Sequence, residues 1–236
     1  MNARALKYLV TFLFASFVVA ADVEHYEYRG DHDPNGIGKF YLGREIAQVM
    51  GPGGILWLER STRDQEEQTT AMLDALQLNG GETVADFGAG SGYFTFELAK
   101  RVGARGTVVA VDIEPKMLAF IRQRAAREGL TNVGLIQSTE RDPRLPAKRF
   151  DLILMVDVYH ELSYPYETLQ QLRLALKPKG RLALVEYRQE DPNVPIKELH
   201  KMSMEQMKLE MAAVGLEEVG SFDGLPQQHL VFFGRP

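Results

Sequence analysis

Asp86 is the one charge in an apolar run that begins at Thr83, and Gly88, Gly90 and Gly92 follow it with Ala89 and Ser91 between them. Glycine lets the chain turn sharply and lets a ligand approach the backbone without meeting a Cβ. A carboxylate beside such a turn attracts an ammonium and repels a pyrophosphate. The dinucleotide fingerprint would also place its third glycine at position 93, where this chain has Tyr93. The helix expected over 93–101 points its N-terminus at the same spot and favours a ligand's negative group there. These residues argue for a zwitterion bound at a strand-to-helix turn, the alternative being the same tight turn with no ligand.

A second acid, Asp112, closes the apolar run 107–111 and lies 24 residues after Gly88, where doubly wound folds set an acid on ribose hydroxyls. It also precedes a helix with Pro115 in its first turn, so capping is a second role, compatible with the first. Ile113 beside it either offers an apolar face to a base or joins the core. A polar cluster, Asp157, Tyr159, His160 and Glu161, follows the apolar run 150–156, and Glu186, Tyr187 and Arg188 end the next strand, which begins at 181. Ligands in open α/β sheets bind outside the carboxyl ends of the strands, which makes His160, Asp157 and Tyr159 the catalytic candidates. His160 has the ordinary pKa of a general base; otherwise its ring hydrogen-bonds Glu161 or backbone.

On these motifs the chain, from about position 41 to its C-terminus, resembles the class I S-adenosylmethionine-dependent methyltransferases. The resemblance implies an α/β, Rossmann-like doubly wound fold with a seven-stranded, mostly parallel sheet, an antiparallel final strand and N-terminal cap helices. It implies S-adenosylmethionine as cofactor, with its methionine part held by Asp86, Gly88, Ala89, Gly90 and Gly92 and its ribose by Asp112. Ile113 and the segment Ser138-Thr139-Glu140 then meet the adenine, through either Thr139 or Glu140. Asp157 has the further option of touching the methionine part. In similar enzymes N-terminal helices lie over the cofactor, so Tyr41, Arg44 and Trp57 become substrate candidates, joined by Glu186 and Arg188. The function implied is methyl transfer to a small-molecule acceptor; the alternative is a non-catalytic binding or regulatory protein that kept the cradle.

Composition agrees with one domain that takes small ligands. The chain has 236 residues, 45% hydrophobic and 25% charged, enough to bury a core without a second domain. Its formal net charge is -5 with no basic run, which argues against nucleic acid as the main partner. Absence of cysteine excludes thiolate nucleophiles, thiolate zinc sites, iron-sulfur clusters and disulfides. The five histidines show no paired helical spacing, so no metal is expected; Asp157 with Glu186 or Asp191 offers a hard cation no clear ligand cluster.

The elements that must position these groups follow from periodicity and turns. A polar lead-in is expected over 22–38, and a domain over 39–236 whose cap helices occupy 39–80. Leu42, Ile46, Ala47 and Met50 suggest a helix over 41–50, stopped by Gly51-Pro52-Gly53-Gly54, and a second helix runs over 61–78 behind a capping box at Ser61 and Asp64. Strands are expected at 132–137, 150–156, 181–186, 216–222 and 229–233, with helices over 165–176 and 203–214.

The first 21 residues have the pattern of an export signal: Arg4 and Lys7, an apolar stretch 8–21, and small residues around Ala20 and Ala21. That stretch is shorter than the roughly 20 residues a spanning helix needs. Cleavage would place the protein outside the cytoplasm; an uncleaved segment would be its one membrane contact or would leave it cytoplasmic. Mass determination on protein from the native host should find a chain beginning near Ala21 or Asp22, and an intact Met1 form in the soluble cytoplasm would refute export.

Overall fold

The computed structural model describes residues 25–236, so the expected export signal lies outside the described residues. The chain opens with three short strands, β1 (Tyr26–Tyr28), β2 (Gly36–Tyr41) and β3 (Arg44–Ala47), followed by α1 (Ile55–Leu58), α2 (Arg63–Glu67) and α3 (Thr69–Ala75). Alternating elements come next: β4 (Thr83–Phe87), α4 (Tyr93–Val102), β5 (Thr107–Asp112), α5 (Pro115–Glu128), β6 (Val133–Gln137) and β7 (Phe150–Val156). The rest is α6 (Pro165–Ala175), β8 (Leu176–Arg188), β9 (Lys201–Met202), α7 (Met204–Ala212), β10 (Glu217–Phe222) and β11 (Gln228–Gly234). Among the described residues no helix is long and apolar enough to cross a membrane.

Seven strands lie in the order β10-β11-β8-β7-β4-β5-β6, and the two-residue β9 pairs in parallel beside the end of β8. Strands β4 to β8 are parallel to one another, while β11 runs antiparallel to both β8 and β10. The architecture is thus the expected α/β one. Both faces of the central strands are covered, which explains why they read as continuous apolar runs. Ala85, Ile153 and Leu184 pack with Leu169 and Leu172 of α6 and Met207 and Met211 of α7. Val84, Leu152 and Val185 face the other way onto Met72 and Leu73 of α3 and Leu98 of α4. From β4 the chain steps to β5 and β6 on one side, then crosses back to β7 on the other, and that switch point opens a crevice at the carboxyl ends of the strands.

The N-terminal region departs from expectation. Residues 41–50 form no helix, because Leu42 (φ 46°) and Gly43 (φ 89°) make a two-residue turn that joins β2 to β3 as a hairpin. Residues 25–38, expected as a lead-in, contribute β1 and the start of β2 to the same antiparallel sheet. The helical spacing had counted Leu42 and Met50 with Ile46 and Ala47, yet the first two are exposed and the second two buried. The helix over 61–78 is broken at Gln68, which takes a left-handed φ of 53°. Asp64 caps α3 instead of α2: its Oδ1 accepts from Thr70 N at 2.8 Å and from Thr69 Oγ1 at 2.7 Å. The fifth parallel strand begins earlier than expected, and the turn at 177–180 survives as a register shift between β7 and β8.

One buried ion pair fastens the small sheet to the domain. Arg44 gives two hydrogen bonds to the Glu210 carboxylate of α7, at 2.7 and 2.9 Å, and a third to the carbonyl of His160 at 3.1 Å. Tyr159 Oη and Gln206 Nε2 also donate to Glu210, at 2.6 and 2.8 Å. Removing one member leaves the other charge buried without a partner, which typically costs about 3–5 kcal/mol. Glu210→Ala should therefore lose stability on that scale in urea titration, with the β1–β3 amides exchanging first in hydrogen exchange. A loss under about 1 kcal/mol would show that the sheet is held by packing alone.

Candidate functional site

A cavity of about 520 Å³ occupies the crevice. One wall comes from the ends of β4, β5 and β6, through Gly88, Gly90, Asp112, Ile113 and the segment Ser138-Thr139-Glu140. The opposite wall comes from Gln48 to Met50, Trp57, His160 to Ser163, and Pro195 to Lys197 with His200. Its volume lies within the usual range of small-molecule pockets.

The glycine turn is built for close approach. Gly88 has φ 73°, and a Cβ there would fall 2.3 Å from Val158; Gly90 has φ 53°, and a Cβ there would fall 2.9 Å from Leu58. Four of its amides are already engaged. Gly88 N and Ala89 N donate to the Val111 carbonyl at 2.8 and 3.0 Å, Gly92 N donates to Ala89 O at 2.8 Å, and Gly90 N donates to Asp112 Oδ2 at 2.8 Å. A phosphate cradle needs free amides, so the loop suits a cationic ligand better than a pyrophosphate.

Asp112 does not cap α5, whose N-cap is Glu114 with no side-chain cap; its Oδ1 accepts from Glu114 N at 2.8 Å in the turn just before the helix. Burial raises its carboxyl above the usual range, opposed by these amide bonds. Asp86 lies behind the glycine turn and outside the wall of the main cavity. It lines a side cavity of about 30 Å³ with Ala89, Arg63 and Tyr93, accepts from Thr95 Oγ1 at 2.5 Å, and is pushed up to about 6 by burial. Gly92 lines neither cavity and serves as the left-handed start of α4.

Asp157 is the least satisfied acid of the site. Its backbone is left-handed (φ 51°), Oδ2 accepts from Gln228 Nε2 at 2.7 Å, and Oδ1 is buried with no hydrogen-bond partner among the described residues. Burial, then the nearby Glu67 and Glu186 carboxylates, push it well above the ordinary carboxylate range.

His160 lines the cavity from a single helical turn, Tyr159–Glu161, but neither expected hydrogen bond is its main contact. Its Nδ1 sits 2.5 Å from Glu186 Oε2, and Glu186 Oε1 accepts from Tyr159 N at 2.9 Å. Burial is the largest cause that lowers the imidazole to about 3 and raises Glu186 to about 8, so each group favours its neutral form. His160 therefore lacks the ordinary pKa that the base assignment assumed.

Several candidates lie away from the cavity. Tyr159 turns its hydroxyl to Glu210, Arg44 is held by the same carboxylate, and Tyr41 is buried against Tyr26 in the small sheet. Glu186 stands behind His160, and Arg188 donates to the Leu225 carbonyl at 3.3 Å. For Tyr41, Arg44 and Tyr159 the reason is long-range: the hairpin and α7 hold these side chains to the rear of the 159–161 turn. Trp57 does reach the cavity, with Arg60 stacked 4.0 Å over its ring.

Glu161 and His200 also reach it; the sequence points to Glu161 only as a hydrogen-bond partner of His160, and to no role for His200. His200 precedes β9, whose pairing of Lys201 with Tyr187 brings it over the end of β8. The signal available was the long connection after the fifth strand, since segments of that length are often binding loops.

Comparison with known proteins follows the same lines. Aklanonic acid methyltransferase DauC of Streptomyces sp. (strain C5) is 39% identical over 83 residues, 35% of this chain and 38% of that protein. Ubiquinone/menaquinone biosynthesis C-methyltransferase UbiE of Methylococcus capsulatus is 34% identical over 116 residues, 49% of this chain and 47% of that protein. The chain thus spans less than half the length of these curated relatives. A solved SAM dependent methyltransferase from Aquifex aeolicus superposes with a TM-score of 0.73 at 26% identity, over 78% of this chain and 98% of that one. The model of a family described as a methyltransferase domain matches residues 78–228, well over half of the chain. With the doubly wound sheet and the acid-flanked glycine turn, that match places this protein in the methyltransferase-domain family, among the class I S-adenosylmethionine-dependent methyltransferases.

Proposed function

We propose that the chain transfers the methyl group of S-adenosylmethionine to a small-molecule acceptor bound in the same cavity. The observation that carries this reading is the Asp157 carboxylate, buried just after β7 with one oxygen unpartnered among the described residues, beside a glycine turn four of whose amides are already used. A buried acid in that condition is costly unless a cation meets it. The ammonium of S-adenosylmethionine supplies one, Asp112 stands at the ribose position, and Ile113 with Ser138, Thr139 and Glu140 offers a surface for the base.

When bound, the cofactor supplies a sulfonium methyl group that needs no further activation by the protein. What the chain contributes is alignment and exclusion of water. Trp57, Met50 and Val49 close the cavity from the N-terminal side, and Leu162 and Ile196 add apolar wall around the His160 face. The relatives named above act on aklanonic acid or in ubiquinone and menaquinone biosynthesis, which supports a small organic acceptor.

Calorimetry on the full chain should detect S-adenosylmethionine binding, and Asp112→Ala should weaken it by about 1–3 kcal/mol through loss of a charge-assisted contact. Unchanged affinity in that variant would remove the ribose assignment, and NAD binding in its place would remove the whole reading. Binding with no methylated product from either polar or lipid extracts would favour the non-catalytic alternative.

Asp157→Asn should separate stability from binding. Asparagine tolerates left-handed backbone and carries no charge to bury, so the ligand-free variant should melt higher than the parent chain. It should also bind S-adenosylmethionine more weakly, by about tenfold on the scale of one lost ionic contact. A variant that melts lower, or binds as tightly, would show that Asp157 is matched by the protein itself.

The pH dependence has a definite sign. Asp86, raised to about 6 by burial, stays protonated in the folded chain where the unfolded chain has lost that proton. Its contribution to ligand-free stability therefore falls as pH rises from about 4 to 6. A cationic ligand favours the ionised form, so affinity should rise by up to about tenfold between pH 5 and 7, with protons released on binding. Titrations in two buffers of different ionisation enthalpy would measure that release. A flat affinity profile would exclude coupling between Asp86 and the ligand.

A further inference from the structure

We propose that His160, Glu161 and His200 form a binding site for a first-row divalent cation in the wall of the cavity. His160 Nε2 lies 3.0 Å from His200 Nδ1 and 3.8 Å from Glu161 Oε1, and His200 Nδ1 lies 3.5 Å from that same oxygen. The three donor atoms form a small triangle. For metal bonds of about 2.0–2.2 Å, neighbouring ligand atoms of a tetrahedral site stand ~3.3 Å apart, so the triangle needs little adjustment to share one ion.

The surroundings orient the donors. Glu186 engages Nδ1 of His160, which leaves Nε2 as the ring atom facing the triangle, and a carboxylate behind a metal-binding imidazole is the usual supporting contact. Met50 N donates to Glu161 Oε2 at 3.2 Å, which leaves Oε1 toward the histidines. His200 is positioned by its own amide, which donates to Lys197 O at 2.9 Å, and by the pairing of the next residue with β8. Three fixed elements thus converge on one point.

The donor set also decides the class of ion. Two imidazoles with one carboxylate suit zinc, iron, nickel or cobalt better than magnesium or calcium, which prefer all-oxygen shells. Three protein ligands leave at least one position open, as in metal sites that act on a ligand. All three residues line the cavity, so that position is available to water or to an oxygen of the acceptor. A bound phenol, enol or carboxylate would be oriented and held in its anionic form there. This use of the ion rests on the methyl-transfer reading; the binding of the ion does not.

The test is metal binding by the purified full chain after stripping with a chelator. Equilibrium dialysis against Zn²⁺ should give one tightly held equivalent per chain, and Co²⁺ should give visible absorption bands typical of four- or five-coordinate nitrogen and oxygen ligation. His200→Ala, at a partly exposed position, should fold and should lower zinc affinity by about 100-fold or more while losing the cobalt bands. Glu186→Gln should lower affinity by about 10–100-fold by loosening His160, with the cobalt bands shifted but present. No stoichiometric zinc in the parent chain, or equal affinity in folded His200→Ala, would overturn the site and leave a hydrogen-bonded histidine pair. S-adenosylmethionine affinity of the stripped parent chain, measured separately, tells failure of this site from failure of the proposed function.

Discussion

The cost of burying carboxylates at the carboxyl edge of a parallel sheet governs this structure. Asp86 and Asp112 lie at the ends of β4 and β5, Asp157 follows β7, and Glu186 lies near the end of β8; Asp112 and Asp157 line the cavity, while Asp86 and Glu186 stand behind its wall. In each case burial is the largest cause of a raised carboxyl. Backbone and side-chain donors offset that cost unequally. Asp112 receives two amides, Asp86 a hydroxyl, Glu186 an amide and an imidazole, and Asp157 one side-chain amide on one oxygen. The order of satisfaction runs from Asp112, with an amide on each oxygen, to Asp157, with one oxygen unpartnered among the described residues, and a buried acid left in that state is the most costly of the four.

Much of the central domain was legible in the sequence because its signals are local. Strand β7 was bounded correctly at 150–156 and β4 begins at Thr83 as expected, since buried parallel strands are unbroken apolar runs ended by a polar residue. The start of α4 followed from glycines that must take positive φ. Nothing comparable marks β1 to β3. Four apolar residues at near-helical spacing fit 41–50, but Leu42-Gly43 is also good turn chemistry, and pairing of β2 with β3 decided between the two. Long-range pairing overrides local periodicity in such short segments.

The same limit applied to the site. Residues that end strands were found, because the switch-point rule converts strand ends into positions in space. Partners separated by tens of residues were not. His160 was read beside Glu161, its neighbour in sequence, whereas its contacts are Glu186 across one strand and His200 from a loop beyond it. Tyr41, Arg44 and Tyr159 were assigned by proximity in the chain to expected helices or to the strand edge, and a hairpin and α7 turned them to the far side.

That far side still bears on the site. The 159–161 turn carries the His160 ring on its cavity face and hands its carbonyl to Arg44 on the other. Arg44 is fixed by Glu210, and Glu210 by Tyr159 from the same turn, so the loop of contacts closes on itself. On the remaining side Glu186 binds both the Tyr159 amide and the His160 ring. A short turn would otherwise have few contacts of its own to set a side chain's direction. Here two buried carboxylates from opposite elements grip it, and the imidazole is left with little rotational freedom. Groups held this rigidly present an atom at a fixed point. The N-terminal sheet acts on the cavity through that grip and through the residues flanking its strands, since Asn35 and Gln48 to Met50 line the cavity and Met50 N donates to Glu161 Oε2 at 3.2 Å.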